Sequence, residues 1–285
     1  SYVVISEDKA VVIDPARDPQ PYFDFVEKHS ANIVFVIETH PHADFVSSHL
    51  EIAQKTGAKI LVSKLLGAEY PHDSFDEGDS VSLGRLSLKA INTPGHSPDS
   101  ICVLLLDEEG NQHALFSGDT LFVGDVGRPD LRESAGNITA KREELARAMF
   151  HSIHQKLIKL NEEVLVFPAH GAGSLCGKNL STDLSSSIGR ELLTNYAFQI
   201  TDEEVFVDTL LEDQPFVPKY FEYDVQVNKS GTSPVEESIK LVPRIDANST
   251  LQSDVLIIDT RKQSDFRAGH LHGAINLMDG GKFET

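Results

Sequence analysis

The sequence predicts a mixed α/β fold in which two sheets face each other with helices outside them. Three observations lead there. Short apolar runs bounded by turn residues alternate with helix-period segments. Many of those runs are spaced as hairpins, unlike a continuous strand–helix–strand series. Four of them end in the same way, in a His or Asp beside Gly or Pro.

In chain order, residues 2–14 read as a hairpin over Glu7-Asp8-Lys9. Gln20–His29 reads as a short helix, and Ile33–Ile37 as a buried strand. Ser47–Thr56 carries Leu50, Ile52 and Ala53 on a helical period, with Gly57 as its C-terminal stop. Lys59–Val62 is a further strand. The turn Asp76–Asp79 leads to Val81–Leu83 and Leu86–Ile91, paired over Gly84-Arg85. Ile101–Leu106 and His113–Phe116 bracket the turn Glu108-Glu109-Gly110-Asn111. Glu143–Leu160 gives the clearest helix pattern, and Val164–Phe167 a buried strand. Residues 188–230 read as helical and more polar. Gly231, Ser233 and Pro234 suggest a linker. Val255–Asp259 reads as a strand in a segment of changed composition.

Composition narrows the function. The 285 residues are 40% hydrophobic and 24% charged, and no run is long enough to span a bilayer. Lys plus Arg is 25 against 44 Asp plus Glu, a formal charge of −19, which repels nucleic acid and anionic membranes. Two cysteines and no visible signal pattern fit a reducing, cytoplasmic compartment. The chain opens inside a strand-like run, so residues are expected to precede it.

The chemistry sits at the strand ends. Thr39-His40-Pro41-His42-Ala43-Asp44-Phe45 follows the first buried strand. Pro94-Gly95-His96, Ser117-Gly118-Asp119 and Pro168-Ala169-His170-Gly171 follow three later ones. Chance does not readily put His or Asp at the same structural position four times, so a metal site is expected. Open α/β folds place their sites at such ends.

This ordered set resembles the metallo-β-lactamase superfamily over residues 1 to about 230. The resemblance implies an αββα sandwich with the metal at one edge of the paired sheets. In dinuclear members the motif aspartate, the histidine directly after it and the late histidine hold a second metal, and the Ser-Gly-Asp aspartate bridges. Here that adjacent histidine is Phe45, so one metal is expected. Two His and one carboxylate on one metal suit a non-haem Fe(II) oxygenase. Within the superfamily, persulfide dioxygenases use such a triad. Carried over residue by residue, the triad is His40, His96 and Asp119. His42, Asp44 and His170 become supporting or alternative ligands. The cofactor expected is one Fe(II) per chain, with zinc as an alternative occupant after purification.

Gly127-Arg128-Pro129-Asp130 resembles the Gly-Arg-x-Asp segment of that group, which makes Arg128 and Asp130 a site-supporting pair. The implied substrates are O₂ and a low-molecular-weight persulfide of glutathione, coenzyme A or bacillithiol type. The implied products are sulfite and thiol. Arg128, Arg132, Lys141 and Arg142 are cations available to an anionic carrier. A glyoxalase II-type dinuclear zinc thioester hydrolase shares the fold and most ligands, and Phe45 counts against it.

Cys102 reads as a small buried hydrophobe. Cys176, six residues past His170 and near Lys178, is a candidate persulfide carrier facing the substrate channel, its thiol made more acidic by that lysine. Residues 251–285, with Val255–Arg261 and Gly269–Asn276, resemble the first part of a rhodanese domain, whose cysteine loop lies outside this chain. The expected layout is therefore residues 1–231 as the catalytic domain, 232–250 as linker and 251–285 as a partial rhodanese-like module. Fusions of this kind imply self-association and thiosulfate formation in sulfide detoxification.

Overall fold

The computed structural model of the chain describes residues 1–131, 142–246, 249 and 254–278. Five strands form the first sheet, in spatial order β1 (Tyr2–Ser6), β2 (Lys9–Ile13), β3 (Asn32–Ile37), β4 (Lys59–Val62) and β5 (Asp73–Ser74). The β1–β2 pair is antiparallel and the rest are parallel. The second sheet contains β6 (Ser80–Leu83), β7 (Leu86–Asn92), β8 (Ile101–Leu106), β9 (Gln112–Gly118), β10 (Leu165–Pro168) and β11 (Ser186–Ser187). Its spatial order is β11-β10-β9-β8-β7-β6, antiparallel except for β9 with β10.

Alternation along each strand decides what lies on each face. In β2, Val11 and Ile13 face the second sheet and pack with Val103, Leu105 and Phe116. Ala10 and Val12 face the other way, against Val26 of α1 (Gln20–Lys28) and Ile52 of α2 (His49–Thr56). In β8, Ile101, Val103 and Leu105 point between the sheets. Cys102 and Leu104 point outward, to Met149 of α3 (Arg142–His151) and to Phe206 and Leu210 of α6 (Glu203–Leu211). The result is the four-layer sandwich that the hairpin-rich pattern predicts. Between α3 and α6 along the chain lie α4 (Ile188–Thr194) and α5 (Tyr196–Gln199). Beyond α6 comes α7 (Phe221–Ser230).

Some expectations need correction. The single helix Glu143–Leu160 is three pieces: α3, a π-helical turn Ser152–Lys156 and a 3-10 turn Leu157–Lys159. The widened turn coincides with side chains that leave the helix for loop carbonyls. Ser152 Oγ donates to Pro94 O at 2.8 Å and Lys156 Nζ to Asn92 O at 2.6 Å. Both bonds tie the helix to the loop carrying His96, and π turns recur at functional sites. The short edge strands β5 and β11 carry too few residues to show a period. Within residues 232–250, the segment expected as linker, lies the short helix α8 (Val235–Leu241).

By contact pattern the chain divides into residues 1–237 and 238–285. The smaller unit pairs β12 (Ile258–Asp259) in parallel with β13 (Ile275–Asn276), with α9 (Gln263–Ala268) between them in sequence. The strand expected over Val255–Asp259 is thus two residues long. Residues 251–253 and 279–285 of the expected rhodanese-like segment lie outside the described residues. No described helix is long and apolar enough to cross a membrane.

Candidate metal centre

The ends of β3, β7, β9 and β10 deliver their ligand-type side chains to one edge of the sandwich. His40 Nε2 lies 3.7 Å, and His96 Nε2 3.5 Å, from Asp119 Oδ2. All three residues are buried. Their donor atoms fall within 4.8 Å of one another.

The imidazoles are aimed by their second nitrogens. Thr39 Oγ1 donates to Asp14 Oδ2 at 2.8 Å, so its lone pair is left to accept from His40 Nδ1 at 3.0 Å. His96 Nδ1 donates to the carbonyl of Arg128 at 2.9 Å, which can only accept. Each ring therefore carries its proton on Nδ1 and turns an Nε2 lone pair toward Asp119. Neither Asp119 oxygen accepts a hydrogen bond of good geometry, although both are buried. Buried lone pairs converging with no proton between them are costly unless a cation sits among them. On this test the residues fit a metal ion.

The second group lies beside the first. His170 Nε2 is 3.4 Å from Asp44 Oδ2 and 3.4 Å from Asp119 Oδ1. Asp119 thus turns one oxygen to His40 and His96 and the other to His170. Phe45 packs against His42 with the rings tilted by 31° and centroids 4.3 Å apart, so it buttresses that ring instead of offering a donor. His42 Nε2 lies 3.1 Å from Asp14 Oδ1 and 3.7 Å from Glu38 Oε2. Burial works against the His42 charge, but Asp14 and then Glu38 outweigh it and raise its pKa to about 9. Burial pushes Glu38 up to about 8, with His42 opposing and Asp14 adding.

Asp14, Glu38, Thr39, Ser47 and His49 are site-building residues that the sequence reading missed. Ser47 Oγ donates to Glu38 Oε1 at 2.6 Å, and His49 Nδ1 is 3.5 Å from the same oxygen. A signal for one of them existed. Val11-Val12-Ile13-Asp14 is a fifth apolar run ending in an acidic residue, and Asp14 has φ +49°, a left-handed conformation unusual for a non-glycine.

Arg128 is fully buried, and all five of its N–H donors are used. Nε and Nη2 grip Asp130 at 2.7 and 2.6 Å. Nη2 also reaches Pro215 O at 2.5 Å, and Nη1 reaches Leu175 O at 3.2 Å and Phe216 O at 3.5 Å. Arg128 is therefore not a cation available to a substrate, which corrects that expectation, while its pairing with Asp130 is bidentate. Arg132 and Lys141 lie outside the described residues, and Arg142 is exposed at the start of α3. The expected acidifying effect of Lys178 on Cys176 is also overturned. Lys178 Nζ donates to Thr209 O at 2.9 Å, while burial, then Asp119 and Asp44, push the buried Cys176 thiol well up. Cys102 on β8 points outward toward the helices and belongs to none of the donor groups, and burial raises its thiol to about 11.

One glycine makes the close approach feasible. A Cβ on Gly127 would lie 1.9 Å from Asp119 O and 3.0 Å from the His96 ring. The first neighbour is backbone and cannot swing aside. Gly127→Ala is expected to cost about 1–3 kcal/mol or more through overpacking and to lower metal content. Urea unfolding and metal analysis of the variant read both, and parent-like values for both would refute the argument.

Beside His170, Tyr2, Phe167, Pro168 and Leu184 line a cavity of about 290 Å³. A larger one, about 510 Å³, lies between α2 and β4 and includes none of the triad.

A four-layer αββα sandwich with His and Asp ligands at one edge defines a class of metal-dependent enzymes. The family model of the metallo-beta-lactamase superfamily matches residues 1–170, and the chain belongs to that superfamily. Within it, the chain is similar to the persulfide dioxygenase group. The human mitochondrial persulfide dioxygenase ETHE1 is 29% identical over 165 residues, 57% of this chain and 59% of the relative. A cytoplasmic hydroxyacylglutathione hydrolase of Arabidopsis thaliana is 36% identical over 132 residues, 45% of this chain and 51% of the relative. The chain therefore spans only about half to three-fifths of these relatives. Among solved structures, a metallo-beta-lactamase from Staphylococcus aureus superposes with TM-score 0.83 at 34% identity, covering 97% of this chain and 80% of that one. ETHE1 from Myxococcus xanthus superposes with TM-score 0.67 at 26% identity, covering 80% of this chain and 92% of that one.

Proposed function

We propose that the chain is a mononuclear non-haem Fe(II) persulfide dioxygenase. The observation that carries this reading is the donor set. Two imidazole Nε2 atoms and one carboxylate oxygen meet in a buried site, and Phe45 stands where a dinuclear hydrolase of this superfamily has a further histidine. Two His and one carboxylate suit Fe(II) with positions left for substrate and O₂. Similarity to the ETHE1 proteins supports the same reading.

His40, His96 and Asp119 would hold the iron, whose chemistry when bound is the activation of O₂ and its transfer to sulfur. The chain's own residues do the rest. Asp14 anchors Thr39, and Thr39 and the Arg128 carbonyl hold both imidazoles in the tautomer that binds. His42, carrying a proton between Asp14 and Glu38, balances the buried carboxylates. Asp44 and His170 form the partly exposed rim, and the adjoining cavity has room for part of a thiol carrier. The overall reaction consumes one persulfide anion, one O₂ and one water and yields one thiol and one hydrogen sulfite.

The substrate is a low-molecular-weight persulfide of glutathione, coenzyme A or bacillithiol type, met in a reducing cytoplasmic compartment. Residues 251–285 are proposed as part of a rhodanese-like module that couples sulfite to thiosulfate formation. Self-association of the chain is part of the same proposal.

The test is metal analysis of anaerobically purified protein, followed by O₂ uptake with a persulfide. One iron per chain and persulfide-dependent uptake are expected. Two zinc ions with thioester cleavage and no uptake would replace this reading with the hydrolase.

A further inference from the structure

We propose that Asn228 is a positioning residue of the ligand loop, holding Asp44 and Phe45 in place beside the metal centre. This deepens the dioxygenase reading and rests on it for the kinetic part of its test alone. Residues 38–48 carry His40, His42, Asp44 and Phe45, yet form neither helix nor strand. Backbone bonds fix the two ends. Ile101 N donates to Thr39 O at 2.9 Å, and Ile52 N donates to Ser48 O at 2.9 Å. The middle is held by a side chain from α7, 181 positions beyond Ser47. Asn228 Nδ2 donates to His42 O and to Phe45 O, both at 2.8 Å. Its Oδ1 accepts from Ser47 N at 2.8 Å. The two carbonyls bracket Asp44, whose Oδ2 lies 3.4 Å from His170 Nε2. Ser47 passes the hold on, its Oγ donating to Glu38 Oε1 at 2.6 Å.

A primary amide suits this place. Both of its N–H groups face carbonyls, which can only accept, and its oxygen faces an N–H. A carboxylate would set a charged oxygen against two carbonyls. An apolar side chain would leave three backbone groups of the loop unpaired at a position where Asn228 is only 2% exposed.

The helix behind the amide is itself fixed. Phe221, Val225 and Asn228 follow the i, i+4, i+7 spacing of one helical face and are all buried. Phe221 and Val225 pack in one apolar cluster with Ala43 of the loop. At the end of α7, Glu69 N donates to Lys229 O at 2.9 Å, and Gly231 N closes the last turn on Val227 O at 2.8 Å. Gly231 has φ +86°, and a Cβ there would lie 2.8 Å from Leu50 of α2. Asn228 is the polar member of its row, and it meets the loop backbone.

All three of these bonds go to backbone, so Asn228 acts through the loop and not on the metal. His40 lies outside the span they hold, next to Thr39, which Ile101 and Asp14 fix. Metal loading therefore survives the loss of Asn228, while Asp44 and Phe45 lose their set positions.

Asn228→Asp keeps the shape and the acceptor for Ser47 N but removes both donors, and Asn228→Ala removes all three bonds. Amide exchange over residues 42–47 is followed by mass spectrometry without substrate. Iron per chain, kcat and KM for the persulfide are measured on the same preparations. Faster exchange in that segment, unchanged iron and a kcat/KM per bound iron lower by roughly 10-fold or more are expected. Val207→Ala, in the outer cluster of α6, controls for stability alone. It should lower the urea midpoint and leave loop exchange and kcat/KM per iron as in the unaltered chain. Where Asn228→Ala gives too little folded protein, Asn228→Asp carries the test. Unchanged loop exchange in Asn228→Asp overturns the proposal, and so does an unchanged kcat/KM per iron. If the unaltered chain cleaves a thioester and takes up no O₂, the dioxygenase reading fails instead. Loop exchange and thioester kinetics per bound metal then decide on Asn228 by the same criteria.

Discussion

Asp119→Asn and His96→Ala are expected to lose the resident metal and with it all persulfide-dependent O₂ uptake. Asp119 is the only carboxylate facing both His40 Nε2 and His96 Nε2 among the described residues, at 3.7 and 3.5 Å. Asparagine keeps the shape but removes the negative charge that offsets a divalent ion in a buried site. His96→Ala removes one of three donors outright. His170→Ala should behave differently. Its Nε2 faces the other oxygen of Asp119, so on the proposed function the metal stays while turnover falls, by roughly 10–100-fold through lost ligand orientation. Iron per chain and O₂ uptake, measured side by side, distinguish the two outcomes. A His170→Ala protein without iron, or an Asp119→Asn protein with it, would redraw the triad.

Arg128→Ala should produce the largest loss of stability of any single change near the site. It leaves Asp130 without its bidentate partner and the carbonyls of Leu175, Pro215 and Phe216 without donors. Breaking one partner of a buried ion pair costs about 3–5 kcal/mol. The loss reaches the metal through a short route, because the Arg128 carbonyl accepts from His96 Nδ1 and its N–H holds Cys176 O. Arg128→Lys should recover little, since an ammonium cannot fill a planar five-donor fork. Urea midpoints and metal content are the measurements. A stable, fully metallated Arg128→Ala protein would show that the loop is held by something else.

Much of this site is legible in the sequence because ligands at strand ends are local features. Each apolar run announces its strand, and the residue after it is carried to the same edge whatever the details of packing. That is why His40, His96, Asp119 and His170, named from sequence, lie at one edge of the sandwich, in two groups that share Asp119. The alternation in β2 and β8 likewise specifies which residues lie between the sheets. Helix Glu143–Leu160 was legible as a helix but not as a broken one, because its period does not reveal that Ser152 and Lys156 are drawn to loop carbonyls.

What the sequence by itself determined is the fold class, the donor types and the Phe45 replacement. What only the tertiary structure decided is how those groups are charged and paired. Burial turned Arg128 from an apparent substrate cation into a fully occupied strut. It placed Cys176 beside two carboxylates while Lys178 went elsewhere. It also brought Asp14 to His42 and Thr39 from 25 or more positions away. The physical reason is range. Secondary structure follows from neighbours along the chain, whereas desolvation and hydrogen-bond partnership depend on distant segments that meet only in the folded protein.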